Sequence, residues 1–178
     1  MPDRKLQPDA RAARGARVRI DRFIDVTGAC TSWVALVIVF LMATNVLLRY
    51  SFSVGTVWAQ ELEWHLLVPL ILFGMSYALR HGEHVRVDIV YSRFSARQKT
   101  IVDLVSALLT VAVSVLVIWF SLHYVQQSYV IDEGSPDPGG IPHRYLIKGL
   151  IPVGFTLLLL QGIANALGCV EKLKKGGS

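Results

Sequence analysis

The chain has 178 residues, of which 53% are apolar and only 17% are charged, and its formal net charge is +5. A soluble domain carries about 25% charged residues, so this composition excludes a soluble enzyme, a secreted disulfide scaffold and a disordered tail. Four stretches contain no Asp, Glu, Lys or Arg and together make up half of the chain: 26–48, 64–79, 104–131 and 149–170. Because a helix needs roughly 20 apolar residues to cross a bilayer, the sequence predicts an all-α membrane protein.

Four transmembrane helices are predicted, and their approximate bounds are 24–49, 58–80, 103–131 and 147–170. They form a membrane domain over residues 24–170, with a basic tail at 1–23 before it and a second tail at 171–178 after it. The second helix is extended beyond its charge-free run, so that Glu61 and Glu63 lie in its first turns, where a carboxylate reaches water at modest cost. The segments are continuously apolar rather than alternating, which favours helices over a barrel.

The basic residues predict the orientation of these helices. Of the 18 Lys and Arg residues, all but Arg49, Arg144 and Lys148 lie in the N-terminal tail, the connection between the second and third helices, or the C-terminal tail. The positive-inside rule therefore predicts that both termini and this middle connection face the cytoplasm. The basic balance is explained by membrane topology and membrane lipid, and it gives no argument for a nucleic-acid partner.

The two long connections carry different signals. Before the third helix, apolar residues alternate with Arg86 and Asp88, which predicts a short amphipathic segment in the cytoplasmic headgroup layer, with a short extended piece as the alternative. Residues 95–98 have the form of a capping box, so the third helix is predicted to begin near Ala96. The outer connection is rich in Gly and Pro and is predicted to be an ordered series of turns, with Pro142 at the entry to the fourth helix.

Polar residues enter the membrane at the outer ends of the first two helices. Asn45 and Arg49 share one helix face, and so do Glu61 and His65. The connection between these helices is short, so Arg49 is expected at the depth of Glu61 or Glu63. An ion pair there would join the two helices, and the alternative is that each side chain reaches separately to the headgroups.

The remaining membrane positions are almost all apolar, which leaves this chain alone no place to hold a hydrophilic substrate. Small residues four apart permit close approach of neighbouring helices in three places: Gly28 with Ser32, then Ser106 with Thr110 and Ser114, and finally Gly162 with Ala166. No catalytic residue and no substrate-binding residue is therefore predicted.

One alternative is a haem-bearing electron-transfer anchor, since four-helix membrane proteins can hold haem between histidines of neighbouring helices. His65 and His123 both fall toward the outer side, but about one and two turns deep respectively, which is a poor match in depth. The spacing of Cys and His also fits no zinc site. The favoured interpretation therefore has no cofactor, no metal and no enzymatic activity.

The second helix and the residues after it carry a family resemblance. The runs WAQELE (58–63), FGMSYALR (73–80) and GEHVRVD (82–88) resemble the small permease subunit of tripartite ATP-independent periplasmic (TRAP) transporters. Three further stretches fit the same pattern: 45–50, 94–97, and 140–142 with 152–154. The likeness covers about residues 20–168.

The resemblance implies a bacterial inner-membrane subunit with four membrane helices. Its partners would be a large permease subunit, which carries the sodium and substrate sites and moves as an elevator, and a periplasmic substrate-binding protein that delivers an organic acid. The small subunit would brace the large one and help dock the binding protein. Glu61, His84, Arg86 and Asp88 match motif positions of the family, and their implied roles are structural and interfacial. Together with the outer polar residues they form the predicted interface set: Asn45, Arg49, Glu61, Glu63, His65, His84, Arg86, Asp88 and Pro142.

Overall fold

The structure, a computed structural model, describes residues 8–82, 91 and 94–175. Five helices lie in these ranges: α1 (Pro8–Phe52), α2 (Val57–His81), α3 (Ala96–Val130), α4 (Tyr145–Lys148) and α5 (Leu150–Lys175). The short α4 leads directly into α5, and the two form one span. Four spans are long and apolar enough to cross a membrane, and no strand is found among the described residues. The predicted all-helical fold with four membrane helices is confirmed.

The helices are longer than the predicted spans. α1 has 45 residues, which is about 68 Å at the usual rise per residue and well over twice the roughly 30 Å thickness of the hydrocarbon core. It begins at Pro8, so most of the segment predicted as an N-terminal tail continues the first helix. The difference arises because a run without charged residues marks only the part of a helix that crosses the hydrocarbon core. It does not show where the helix begins or ends. α5 likewise runs past residue 170 to Lys175.

Local signals set the helix ends near the middle connection. The Ser95 hydroxyl accepts a hydrogen bond from the Gln98 N–H at 3.3 Å, and the Ser95 N–H donates to the Gln98 side chain at 2.8 Å. This is the predicted capping box, and α3 begins at Ala96 as expected. α2 ends at His81, and the next residue, Gly82, has a φ of 74°, in the left-handed region that glycine adopts without strain. The predicted amphipathic segment lies outside the described residues.

The helices pack as an open layer rather than as four equal neighbours. α5 contacts α1, α2 and α3, and its most extensive contact is with α3. α1 packs chiefly on α2, and among the described residues α3 has no comparable contact with α1 or α2. The order across the layer is therefore α1, α2, α5, α3, with α5 also touching α1.

The α3–α5 contact uses a seam of small residues. Four residues of α3, each seven positions from the next, are buried: Ala107, Ser114, Ser121 and Ser128. A seven-residue period keeps one side of a helix facing its partner, and small side chains let the backbones approach. Gly162 of α5 faces this seam, since a Cβ at that position would lie 3.2 Å from a methyl carbon of Val111. Of the three small residues predicted in α3 (Ser106, Thr110 and Ser114), only Ser114 is among these four, because residues spaced by four wind around the helix.

Two other helix crossings depend on glycine. A Cβ on Gly28 of α1 would lie 2.5 Å from Cγ of the Tyr77 ring, and a Cβ on Gly154 of α5 would lie 2.6 Å from Cβ of Leu72. α2 thus lies against glycine on both sides, and the close approach predicted at Gly28 is confirmed.

Little of the apolar surface is buried within the chain. In the most apolar 18-residue window of each span only 11% of the residues are buried, or 22% in the fourth span. Large side chains such as Trp33, Phe40, Trp119 and Phe120 are between 64% and 76% exposed. Hydrocarbon or another membrane protein must therefore cover most of this chain.

Candidate functional site

The predicted polar residues gather at one end of the layer. We call it the loop end; it consists of the connections 53–56 and 131–144 and the helix ends that adjoin them. The opposite end, which holds the starts of α1 and α3 and the ends of α2 and α5, is called the terminus end.

Glu61 ties the long loop to α2. One carboxylate oxygen accepts a hydrogen bond from the Ser135 hydroxyl, and the other accepts one from the Ile141 N–H at 2.5 Å. Hydrogen bonds to an ionised carboxylate are about twice as strong as those between neutral groups. Gly140 leaves space for this arrangement, because a Cβ there would lie 2.7 Å from the Glu61 oxygen. A single side chain of α2 therefore holds both sides of the loop tip.

Glu133 fixes the base of the same loop. Its carboxylate accepts hydrogen bonds from the Lys148 ammonium and from the Ser128 hydroxyl, the latter at 2.7 Å, and its main-chain carbonyl accepts from the Arg144 N–H at 2.8 Å. These hydrogen bonds, first that of Lys148 and then that of Ser128, hold the pKa of Glu133 below its usual range. The Lys148 ammonium also lies 4.0 Å from the centre of the Tyr124 ring. The loop is thus anchored at both its tip and its base.

The loop itself is a series of turns, as predicted. Asp132 and His143 both adopt positive φ, at 43° and 59°, and the His143 ring nitrogen lies 2.8 Å from the Asp132 carboxylate across the neck of the loop. Pro142 is exposed and directly precedes His143. The fourth span begins shortly after it, at Tyr145, so Pro142 marks the helix entry as expected.

A hydrogen bond joins α1 to α2 at this end. The Asn45 side-chain amide donates to the Glu63 carboxylate at 3.0 Å. Arg49 is exposed and forms no ion pair with a residue that the structure describes; its side chain lies along the turn, near Gly55. The bridge between the helices therefore uses Asn45 rather than the arginine. Residues two apart on a helix point roughly 200° apart, so Glu63 faces α1 while Glu61 faces the loop.

His65 contacts its own helix. Its Nδ1 lies 2.7 Å from the Glu61 carbonyl oxygen, and its Nε2 is buried with no hydrogen-bond partner among the described residues. Nδ1 of His123 lies 3.2 Å from the Trp119 carbonyl oxygen of α3. Since α5 lies between α2 and α3, the two rings are not held across one cavity by neighbouring helices. The geometry does not favour the haem hypothesis.

The other three predicted residues, His84, Arg86 and Asp88, lie outside the described residues. Their placement stays a prediction.

The terminus end holds a polar cluster that sequence reasoning missed. The Arg80 guanidinium lies 3.0 Å from the Asp21 carboxylate and 2.5 Å from that of Asp25. His81 Nε2 lies 3.3 Å from Asp25, and the amide of the buried Gln161 lies 3.4 Å from Asp21. The cluster joins α1, α2 and α5. Its signals in the sequence are the spacing of four between the two aspartates and a glutamine inside a charge-free stretch.

Most of the chain is similar to a known family of membrane proteins. Residues 38–172, about three quarters of the chain, match the family model described as tripartite ATP-independent periplasmic transporters, DctQ component. The chain belongs to this family. Its small permeases are transporter components, and their association with other TRAP components follows from the family.

Three relatives are small permease proteins of TRAP transporters. The ectoine TRAP transporter small permease protein TeaB of Halomonas elongata is 29% identical over 134 residues, which is 72% of this chain and 68% of that protein. The C4-dicarboxylate TRAP transporter small permease protein DctQ of Rhodobacter capsulatus is 32% identical over 65% of this chain and 50% of its own length. The protein of that name from Vibrio cholerae is 28% identical over 68% and 61%.

This DctQ-family chain is therefore a small TRAP permease and a multi-pass protein of the bacterial inner membrane. The haem-anchor alternative finds no support in the family or in the relatives. Neither end holds a group of three or more His, Cys, Asp or Glu side chains arranged to bind a metal, as far as the described residues extend.

Proposed function

We propose that this small permease braces the large permease subunit of a TRAP transporter and helps dock a periplasmic substrate-binding protein, for sodium-coupled uptake of an organic acid. The observation that carries the proposal is the large apolar surface left uncovered by the chain's own packing, since only 11–22% of residues are buried in the most apolar 18 residues of each span. A chain that moved substrate by itself would enclose a polar path. Here the charged groups of the spans lie near the two ends.

The bracing role is supported by the shape of the layer. α3 and α1 lie at its two edges, and all four spans present exposed large apolar side chains, among them Trp33, Trp64, Trp119 and Leu146. Lipid alone can solvate such side chains, but helices in a membrane also associate through close packing where small residues permit it. The proposal assigns the large permease subunit to part of this apolar surface.

The docking role is supported by the loop end. If both termini face the cytoplasm, as the basic residues predict, this end faces the periplasm. Its loop is held by Glu61 and Glu133 and leaves Asp137 and Pro142 exposed. Asn45, Arg49, Glu63 and His65 then serve as structural and interfacial residues below it. His84, Arg86 and Asp88 would act on the cytoplasmic side.

Copurification tests the assembly. The full chain, tagged and extracted in mild detergent from its native membrane, is expected to retain a larger, many-helix permease. A stable lone monomer under conditions that preserve other inner-membrane complexes would overturn the bracing role.

Reconstitution in vesicles tests whether this chain transports by itself. Vesicles that contain only this chain are expected to take up no solute with a sodium gradient. Vesicles that contain both permease subunits and the binding protein are expected to accumulate the substrate.

Topology is tested by labelling. A cysteine at Ser53, in the loop end, is expected to react with a membrane-impermeant thiol reagent applied to intact cells whose outer membrane has been permeabilised. A cysteine at Ser95, at the terminus end, is expected to react only after the inner membrane is broken. The reverse pattern would contradict the docking role but not the bracing role.

The relatives are named for different compounds, so the uptake assay should begin with C4-dicarboxylates and ectoine.

A further inference from the structure

A cleft of about 360 Å³ opens at the terminus end between α2 and α3. All four spans contribute to it: Arg17 from α1, Arg80 from α2, Asp103 and Thr110 from α3, and Lys172 with Gly168 from α5. It exists because α2 and α3 both pack on α5 but scarcely on each other. The small residue at 168 forms part of its floor.

Most of the charged side chains that line the cleft are cations. Three cations line it against one acid, and that acid, Asp103, accepts hydrogen bonds from the Tyr91 hydroxyl at 3.1 Å. The Arg80 charge is already shared between two aspartates. Arg17 Nε lies 3.9 Å from the Asp21 carboxylate, close to the greatest distance at which two groups count as an ion pair. Lys172 is exposed and forms no ion pair with any residue in the described ranges. These two cations keep the capacity to bind an anion.

Arg17 is held toward the cleft by packing as well as by charge. Its guanidinium lies over Gly168, where a Cβ would approach one guanidinium nitrogen to 2.6 Å. Any side chain at 168 would therefore push the arginine away from α5. A glycine at this position lets α1 place its cation on the surface of α5, beside the α5 cation one turn further along, at Lys172.

The cleft crosses the boundary between charged and apolar chain. The charge-free part of α3 begins directly after Asp103, and that of α5 ends shortly before Lys172. Thr110 lies about 10 Å deeper than Asp103 along the helix axis, within the charge-free part. The cations are therefore at the mouth and weakly polar groups are below, an order that matches the phosphate and glycerol regions of a phospholipid. A soluble anion would need only the mouth.

We propose that this cleft binds the headgroup of an anionic phospholipid, with the phosphate between Arg17 and Lys172. Basic pockets between transmembrane helices bind anionic headgroups in this way. The inference does not depend on the transport role, because it uses only the contacts of this chain and the depth of the cleft.

The chain offers a matched pair of variants for the test. Arg17→Gln with Lys172→Gln removes both available cations of the cleft. Arg19→Gln with Lys174→Gln removes the same charges from exposed side chains that do not line the cleft and that lie two residues away on the same helices. The full chain, purified with whatever permease partner it retains, is titrated with phosphatidylglycerol or phosphatidylcholine in detergent, and bound lipid is counted by native mass spectrometry.

Phosphatidylglycerol is expected to bind the parent and the Arg19/Lys174 variant alike. It is expected to bind the Arg17/Lys172 variant roughly 25-fold more weakly, since each cation near a membrane surface contributes about fivefold. An equal loss of phosphatidylglycerol affinity in both double variants would show that a diffuse basic surface binds the lipid, and it would overturn the proposal. Binding of phosphatidylcholine to the parent as tightly as phosphatidylglycerol would overturn it too. Displacement of the lipid by millimolar inorganic phosphate would indicate a soluble anion instead. Retention of bound lipid by the Arg17/Lys172 variant would also refute the site.

Thermal unfolding of both double variants in the same detergent checks the fold. If the Arg17/Lys172 variant unfolds, Lys172→Gln is compared with Lys174→Gln instead. The expected difference in phosphatidylglycerol affinity is then about fivefold, and no difference overturns the site.

Discussion

Asn45 and Glu63 meet across the α1–α2 hairpin, with the amide nitrogen 3.0 Å from the carboxylate oxygen. Glu61, one half-turn earlier on α2, faces away from α1 and binds the loop through Ser135 and Ile141. Two carboxylates separated by a single residue thus hold two different elements. The loop end is organised from the first turns of α2, and the strength of each contact can be tested separately.

Asn45→Ala is expected to lower the free energy of unfolding by about 0.6–1.7 kcal/mol, the range of polar contacts between membrane helices. Unfolding in mixed micelles of increasing dodecyl sulfate content measures it. Arg49→Gln is the control: this side chain is exposed, and its replacement is expected to change stability by less than about 0.5 kcal/mol. A larger cost for Arg49→Gln than for Asn45→Ala would mean that the arginine, not the asparagine, joins the helices.

Gly140→Ala is expected to open the loop tip. The added methyl carbon would overlap the Ser135 hydroxyl oxygen and lie 2.7 Å from the Glu61 carboxylate oxygen. These groups must move away from residue 140, and the Ile141 hydrogen bond to Glu61 weakens. Hydrogen exchange of the Ile141 amide is expected to become roughly tenfold faster, the scale of one hydrogen bond to a charged group. Gly134→Ala, in the same loop with nothing within 4 Å of the new carbon, is expected to leave that rate unchanged.

Glu61→Gln is expected to weaken binding of the periplasmic protein and to reduce uptake without changing which substrates are taken. The neutral amide keeps the shape of the side chain but loses the charge that strengthens both loop hydrogen bonds. Uptake in cells that carry the complete transporter measures the effect. Glu171→Gln removes an acid from the terminus end, far from the loop, and serves as the control. A shift in substrate preference in Glu61→Gln would contradict the view that this chain holds no substrate site.

Properties of single segments were predictable from the sequence. Transfer into a bilayer depends on the composition of one segment, so the number of spans followed from charge-free runs. The start of α3 at Ala96 followed from a capping box confined to four residues. The start of α1 at Pro8 could have been predicted from residue propensities but not from hydropathy. Proline is favoured at the first helical position, and the alanine and arginine residues after it are strong helix formers.

Relationships between segments were not predictable in the same way. The Ser135–Glu61 contact spans 74 residues, and nothing within either segment specifies the other. Which of Glu61 and Glu63 faces α1 depends on the rotation of α2, which its packing on Gly28 and Gly154 helps to set. The seven-residue seam of α3 is visible only once α5 is known to be its neighbour, because many small-residue stripes can be drawn along one helix.

Glu133 is expected to make the thermal stability of the protein depend on pH. Its folded-state pKa lies below the usual value, so the carboxylate stabilises the loop at pH values above the ordinary carboxyl range, near 4. This contribution is lost as pH falls through the folded pKa, since protonation breaks the pairing with Lys148. Thermal unfolding between pH 7 and pH 3 is expected to show an acid-induced loss that is smaller in Glu133→Gln. Asp137→Asn, as the matched acid, is expected to keep the parent profile, and an unchanged profile in Glu133→Gln would contradict the assignment.

Arg80→Gln is expected to be the most destabilising of these substitutions. The guanidinium is 22% exposed and lies between Asp21 and Asp25 of α1, so its removal takes away the cation between two partly buried carboxylates. A loss of about 1.5–3 kcal/mol is expected in the mixed-micelle unfolding assay, the scale of hydrogen bonds to charged groups. Arg97→Gln removes the same charge from an exposed position at the start of α3 and should cost little. Adding Asp25→Asn to Arg80→Gln is expected to restore part of the loss, because it removes one of the two repelling charges. If the double variant is instead less stable than Arg80→Gln alone, the arginine stabilises the α1–α2 contact by packing rather than by charge.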